Sequence, residues 1–365
     1  MWQTYGSSTP GVTRGEPAAL DAALAVVRAE NPDLNLTVTA VGLGDLFNTY
    51  RLQSTSGSPD LLIAPNDTAG DFVRANLALD LTTHFTPAEL ARFSDLAIAG
   101  STVEGKLVQV PESSEAAVVY YDSTRIGSFP ATTDELLAKV QDGSIRLGLF
   151  QGIYHVFGFW GSFGGELMDD TGKCIADVTP VGDAFTYYAR LKAAGARWFG
   201  AASGYADMAA AFNSGEVDAI IDGPWAGEGY QATHPDSLGV APIPAGPGGA
   251  ALPLTAVDGW TINPNSANVD LAVAFAKRMT QPDILKIFAD VAAHVPADPS
   301  VISSDPLAAD LASAVPAGLP RPQLPQLGAF WGKFGEALND VIDDGADPAT
   351  AVAQACADMN VANGL

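Results

Sequence analysis

Basic residues are scarce in this chain. Eighteen Lys and Arg stand against 42 Asp and Glu over 365 residues, a net charge of −24 at pH 7 with histidine neutral. Phosphate backbones are held by a surplus of Lys and Arg on at least one face, so nucleic acid is excluded as a partner. The few cations are spread mostly singly, and no basic cluster could hold an anionic membrane surface. Cysteine is rarer still. Cys174 and Cys356 are too few for a disulfide framework and too isolated for a zinc site, which needs close pairs; their pairing with each other across a long loop stays open. The histidines, His84, His155, His234 and His294, stand far apart without metal-binding spacing, and no metal or cofactor is implied. No stretch approaches about 18 consecutive apolar residues, so no transmembrane helix is expected. No charged-then-apolar leader precedes Met1-Trp2, which fits a cytosolic protein or one whose export signal has been removed.

What is present is a globular mixture, 47% apolar and 16% charged, and at roughly 150 residues per domain its length suggests two domains. Strand-like and helix-like segments alternate along it, the pattern of an α/β protein. Met1–Tyr5, Asn35–Val41 and Asp60–Ala64 read as strands. Helices follow from Leu20, Ala23, Leu24 and Val27 at helical spacing, from Leu46–Ser54 and from Gly70–Leu77. The short connections predict a mostly parallel sheet. A second unit begins near Tyr120, where Thr132 and Glu135 form a capping-box signature before Leu136-Leu137. Asp183–Ala194 and Val269–Met279 are amphipathic helices, Asp218–Asp222 is a buried strand, and Gly345 with Asp347-Pro348 ends one helix and starts the next.

Chemical motifs mostly fail on inspection. Gly42-Leu43-Gly44 lacks the third glycine of a dinucleotide loop, and Trp160 occupies the first glycine position of a nucleophile elbow around Ser162. Asp340–Gly345 resembles a calcium loop, but Ile342 stands at a required oxygen ligand, so a solvated helix end is the better reading. What survives is aromatic. Tyr154, Phe157, Phe159 and Trp160 share one segment, Trp225 follows Gly223-Pro224, Trp260 follows Asp258-Gly259, and Phe330-Trp331 follows a proline-rich stretch. Any one of these could be a packing residue. Together, four aromatic clusters in loop-like, Gly-rich contexts favour a flat or sugar-like ligand, because aromatic faces stack on the C–H faces of pyranose rings.

Several segments, in order, resemble the solute-binding proteins of bacterial ABC sugar importers, especially the maltose and maltodextrin binders. They are Gly57-Ser58-Pro59-Asp60-Leu61-Leu62-Ile63, Glu115–Asp122 with Phe129-Pro130, Ala211–Glu216 with Ile221–Trp225, and Leu324–Trp331. The resemblance covers nearly the whole chain. It implies a two-lobed α/β protein of the type II periplasmic-binding fold, each lobe a mixed, mostly parallel sheet flanked by helices. The lobes would be discontinuous, 1–117 plus 259–304 and 118–258 plus 305–365, with crossings near Ala117, Gly259 and Ser304. They would close about a hinge on an oligosaccharide held in the cleft, and the protein would act as an exported monomer, periplasmic or lipid-anchored, delivering the sugar to a membrane permease. Carried over by position, Asp67 and Glu115 would bond sugar hydroxyls with help from Asn66 and Asp258, and Tyr154, Phe157, Trp225, Trp260 and Trp331 would supply aromatic surfaces. Gly6-Ser7-Ser8, Ala64 and Gly152 stand where these binders often carry polar or aromatic groups, which leaves the exact sugar open.

Two other classes compete. Two of Asp67, Glu115 and Asp222 could form the carboxylate pair of a glycoside hydrolase. Alternatively, the charge of −24 would favour a cationic ligand such as a polyamine, since aromatic boxes hold ammonium groups as well as sugars.

Overall fold

The computed structural model describes residues 1–200, 203–315 and 318–365. The chain divides into two units of discontinuous segments. Met1–Glu115, Thr255–Pro316 and Pro320–Gln323 form the first; Ala116–Leu254, Ala317–Leu319 and Leu324–Leu365 form the second. The first boundary lies two residues earlier than expected, Pro320–Gln323 adds a return to the first unit, and the other two crossings are displaced as well. Residues 255–258 join the first unit because Ala256, Val257 and Asp258 pair with Glu115, Ser114 and Ser113. The third crossing does not fall near Ser304, because the helix Pro306–Ala314 belongs to the first unit, where it buries Leu307, Ala308 and Leu311 and packs beside the strand Val295–Pro296.

The first unit carries a mixed sheet. Its strands run in the order Val295–Pro296, Val110–Glu115, Leu254–Ile262, Leu61–Pro65, Trp2–Gln3 and Thr39–Ala40, with Leu319–Pro320 beside Leu254–Ile262. Trp2–Gln3 runs parallel to both its neighbours, whereas Leu254–Ile262 is antiparallel to the strands on either side. Helix Glu16–Glu30 buries Ala19, Leu20, Ala23, Leu24 and Val27, the stripe expected from their spacing. The strand expected over Asn35–Val41 shortens to Thr39–Ala40. Leu36 and Val38 are still half-buried against the core, so the alternation is kept without the hydrogen-bonded ladder.

The second unit has a five-stranded sheet in the order Leu238–Ala241, Val118–Asp122, Ala219–Asp222, Leu147–Phe150 and Arg197–Phe199. Pairing is antiparallel on one side of Ala219–Asp222 and parallel on the other. Helix Thr133–Gln141 starts where expected, with the Thr132 side chain accepting from the Glu135 amide. Helices Val181–Ala194, Leu327–Asn339 and Pro348–Ala362 cover the core. Asp347 caps the last of these by accepting from the Thr350 amide at 3.0 Å. A disulfide joins Cys174 to Cys356 across 182 residues, which settles the pairing left open by the sequence. Among the described residues no helix is long and apolar enough to cross a membrane, and no group of three His, Cys, Asp or Glu could hold a metal ion.

Candidate functional site

In the second unit, the strand Ala219–Asp222 ends in Gly223-Pro224, and the chain turns so sharply that the Trp225 ring folds back over Gly223. A Cβ on Gly223 would lie 2.1 Å from that ring, so the indole can take this position only over a residue without a side chain. The half-buried indole lies beside Tyr154 of the short helix Ile153–Val156, with ring centroids 5.9 Å apart and planes inclined by 34°. Beneath them sits His155, edge-on to Tyr154 at 5.6 Å and to Trp225 at 6.3 Å. Trp331 is half-buried on the helix Leu327–Asn339, which packs beside Ile153–Val156. The Tyr154 and Trp225 rings form a partly accessible aromatic surface of the kind that stacks on a sugar face.

Below that surface lies a carboxylate with no solvent exposure. Asp222 accepts hydrogen bonds from the Tyr205 and Tyr230 hydroxyls and from the Gly223 amide, and its Oδ1 lies 3.4 Å from His155 Nε2. Burial, followed by the Asp222 charge, pushes the Tyr230 phenol far above its ordinary range, so Tyr230 stays a donor. Neither tyrosine was legible as a site residue, because nothing in the local sequence links them to Asp222.

The first unit contributes the acidic residues. Asp67 follows the strand Leu61–Pro65 in a single helical turn, Asn66–Thr68, and pairs with the Arg321 guanidinium, which is only 5% exposed. Sequence reasoning missed Arg321, since it arrives from a distant four-residue return of the chain. Glu115 ends the strand Val110–Glu115 and is buried opposite Ala256. Asp258 is buried on the next strand, and its Oδ2 lies 3.2 Å from the Tyr5 hydroxyl, which is also 3.2 Å from Glu112 Oε2. One phenol proton cannot serve two carboxylates, and a proton held on Asp258 completes the set. Burial, with Glu16 and Glu112 nearby, accordingly lifts Asp258 to about 8, and burial with Asp258 as neighbour lifts Glu115 well above the carboxylate range. Glu112 is also bonded to His294 Nδ1 at 2.9 Å. Burial alone would lower the pKa of His294, but the Glu112 charge and hydrogen bond reverse this and hold it well above its usual value.

Like Asp258, three further expected ligand residues are engaged elsewhere. Phe157 is buried, stacked on Trp160 at 4.7 Å and edge-on to Phe330, so it belongs to the core of the second unit rather than to the aromatic surface. Trp260 is not in a turn: it lies within the strand Leu254–Ile262, fully buried against Phe275 in the core of the first unit. Asp258-Gly259 marks a shift of register in that strand, not its end. Asn66 is buried, donating to the Gly100 carbonyl at 2.8 Å and accepting from the Val257 amide at 3.3 Å, so its amide braces the backbone.

Residues 12–285 match the family of bacterial extracellular solute-binding proteins. The chain belongs to that family. This solute-binding protein is 25% identical over 321 residues to the maltotriose-binding protein of Pyrococcus abyssi, a match covering 82% of this chain and 69% of that one. It is also 25% identical over 349 residues to a maltooligosaccharide ABC transporter solute-binding lipoprotein of Streptococcus pneumoniae, covering 86% and 78%. The solved structure of the Thermus thermophilus maltotriose-binding protein bound with maltotriose is similar over 99% of both chains, with a TM-score of 0.84 at 24% identity. The fold of this solute-binding protein is therefore that of the type II periplasmic sugar binders, with two mixed sheets flanked by helices.

Proposed function

We propose that this protein is the sugar-capturing component of an ABC importer, binding a maltose- or maltodextrin-type oligosaccharide and passing it to a membrane permease. The observation that carries this reading is the Tyr154–Trp225 pair. Two rings at 5.9 Å, half-buried and inclined by 34°, offer adjacent faces to the C–H surface of successive pyranose rings. Relatives named for maltotriose and maltooligosaccharide binding support the same substrate class. Trp331 is a further half-buried ring of the second unit, and Asp67 and Glu115 are the carboxylates that the first unit offers to sugar hydroxyls. The protein works outside the cytoplasm as a monomer, periplasmic or lipid-anchored, and performs no chemistry on the sugar. Asp222 supports this last point, since its oxygens are already occupied by two phenols and a backbone amide.

Calorimetric titration with maltose, maltotriose, trehalose, sucrose and glucose tests the proposal. Saturable binding of maltose or maltotriose that is insensitive to ionic strength is expected. Affinity for a polyamine that falls as salt is added, with no response to any sugar, would overturn it.

A further inference from the structure

Trp225 is held by a relay of hydrogen bonds that reaches the interior of the second unit. Its indole Nε1–H donates to the Tyr205 hydroxyl at 2.8 Å, and that hydroxyl in turn donates to Asp222 Oδ1 at 3.2 Å. Asp222 is itself fixed by the Tyr230 hydroxyl and the Gly223 amide. His155 packs beside the relay without joining its hydrogen bonds, its Nε2 3.4 Å from Asp222 and its ring edge-on to Tyr154. Tyr205 also packs its ring against Phe150 at 5.7 Å and His155 at 5.7 Å, so its hydroxyl has little freedom to move off the relay.

We propose that Tyr205 and Asp222 are positioning residues that set the Trp225 indole before the ligand arrives and reduce it to a pure stacking face. With its N–H taken internally, the indole has no donor for a ligand acceptor. It therefore selects an apolar, unsubstituted pyranose face over a ligand that must be hydrogen-bonded in the ring plane. The relay ends on a buried carboxylate, so the Trp225 indole is tied through Tyr205 to the interior of the unit. A preset surface binds more tightly because less side-chain freedom is lost on association. The inference rests on the carbohydrate-binding reading for its ligand, but the relay is testable without one.

The test uses Tyr205→Phe, which keeps the ring and removes only the hydroxyl, in the wild-type and Trp225→Phe backgrounds. In ligand-free protein, the indole N–H resonance identified by its loss in Trp225→Phe should exchange slowly with solvent. Tyr205→Phe should shift that resonance and accelerate its exchange. Affinity for maltotriose should fall on the order of 10-fold on Tyr205→Phe, the loss expected for one hydrogen bond, and hardly change when the same substitution is made in Trp225→Phe. An indole proton that exchanges freely in the wild type, or equal losses in the two backgrounds, would overturn the proposal. If the wild type binds no maltotriose, the carbohydrate reading falls, while the resonance still decides whether the relay exists.

Discussion

His294 and Glu112 form a buried pair in the first unit, with Nδ1 2.9 Å from Oε2 and both side chains almost without exposure. Glu115 and Asp258 are buried in the same unit, and neither is balanced by a lysine or arginine within the hydrogen bonds that surround the pair. The low dielectric makes charge on these carboxyls costly, and protons relieve that cost.

Stability should therefore fall as pH rises from mildly acidic to mildly alkaline. Asp258 titrates near 8 when folded and near its ordinary value when unfolded, so the folded state holds the extra proton throughout that interval. The raised pKa values of Glu115 and His294 act in the same direction, each adding stability that is complete below its unfolded value and lost above its folded one. Melting temperature is expected to drop between pH 5 and pH 8.5. Asp258→Asn, which has no proton to lose, should flatten the slope; a melting temperature that rises over this range would refute the assignment.

Core and surface aromatics should separate cleanly. Phe157→Ala removes a ring buried between Trp160 and Phe330 and should cost about 3–5 kcal/mol in urea unfolding, with sugar affinity per folded molecule little changed. Trp225→Ala should do the reverse, weakening maltotriose binding by at least about tenfold while moving the unfolding midpoint little. Loss of affinity on Phe157→Ala, measured on protein shown to be folded, would return that residue to the binding surface.

The Asp67–Arg321 pair should report on ligand contact in the first unit. Asp67→Asn keeps the shape of the side chain but removes its charge, weakening both the hold on Arg321 and the acceptor offered to sugar hydroxyls. A loss of affinity of about tenfold is expected by calorimetry, with a smaller loss for Arg321→Lys, which keeps the charge but not the fork of donors. Unchanged affinity in Asp67→Asn would remove Asp67 from the site.

Thiol titration in denaturant should find no free cysteine until a reductant is added, because Cys174 and Cys356 are joined. Closing 182 residues of chain restricts the unfolded state, so the Cys174→Ser, Cys356→Ser double variant should lose about 2–5 kcal/mol. Two free thiols before reduction would contradict the bond.

Periodic elements were the most legible. Val269–Met279 has the same bounds in sequence and structure, because a helix of one apolar face carries its own signature. Trp260 was misplaced for a local reason: Asp258-Gly259 looks like a turn, but Gly259 lies mid-strand, where a Cβ would come within 2.9 Å of the Gln109 side chain. Phe157 was misplaced because proximity to Tyr154 in sequence says nothing about which ring is buried. Tyr154 and Trp225 were singled out from composition and context, and the structure makes the two rings neighbours. Arg321, Tyr205 and Tyr230 were out of reach, since each acquires its partner only through tertiary folding.

Titration of the intact protein with maltotriose, followed by tryptophan fluorescence and by calorimetry, addresses the proposed function most directly. Saturable one-to-one binding, a change in emission that disappears in Trp225→Phe, and insensitivity to salt are expected. No heat and no change in emission or melting temperature with maltotriose or maltose would contradict it.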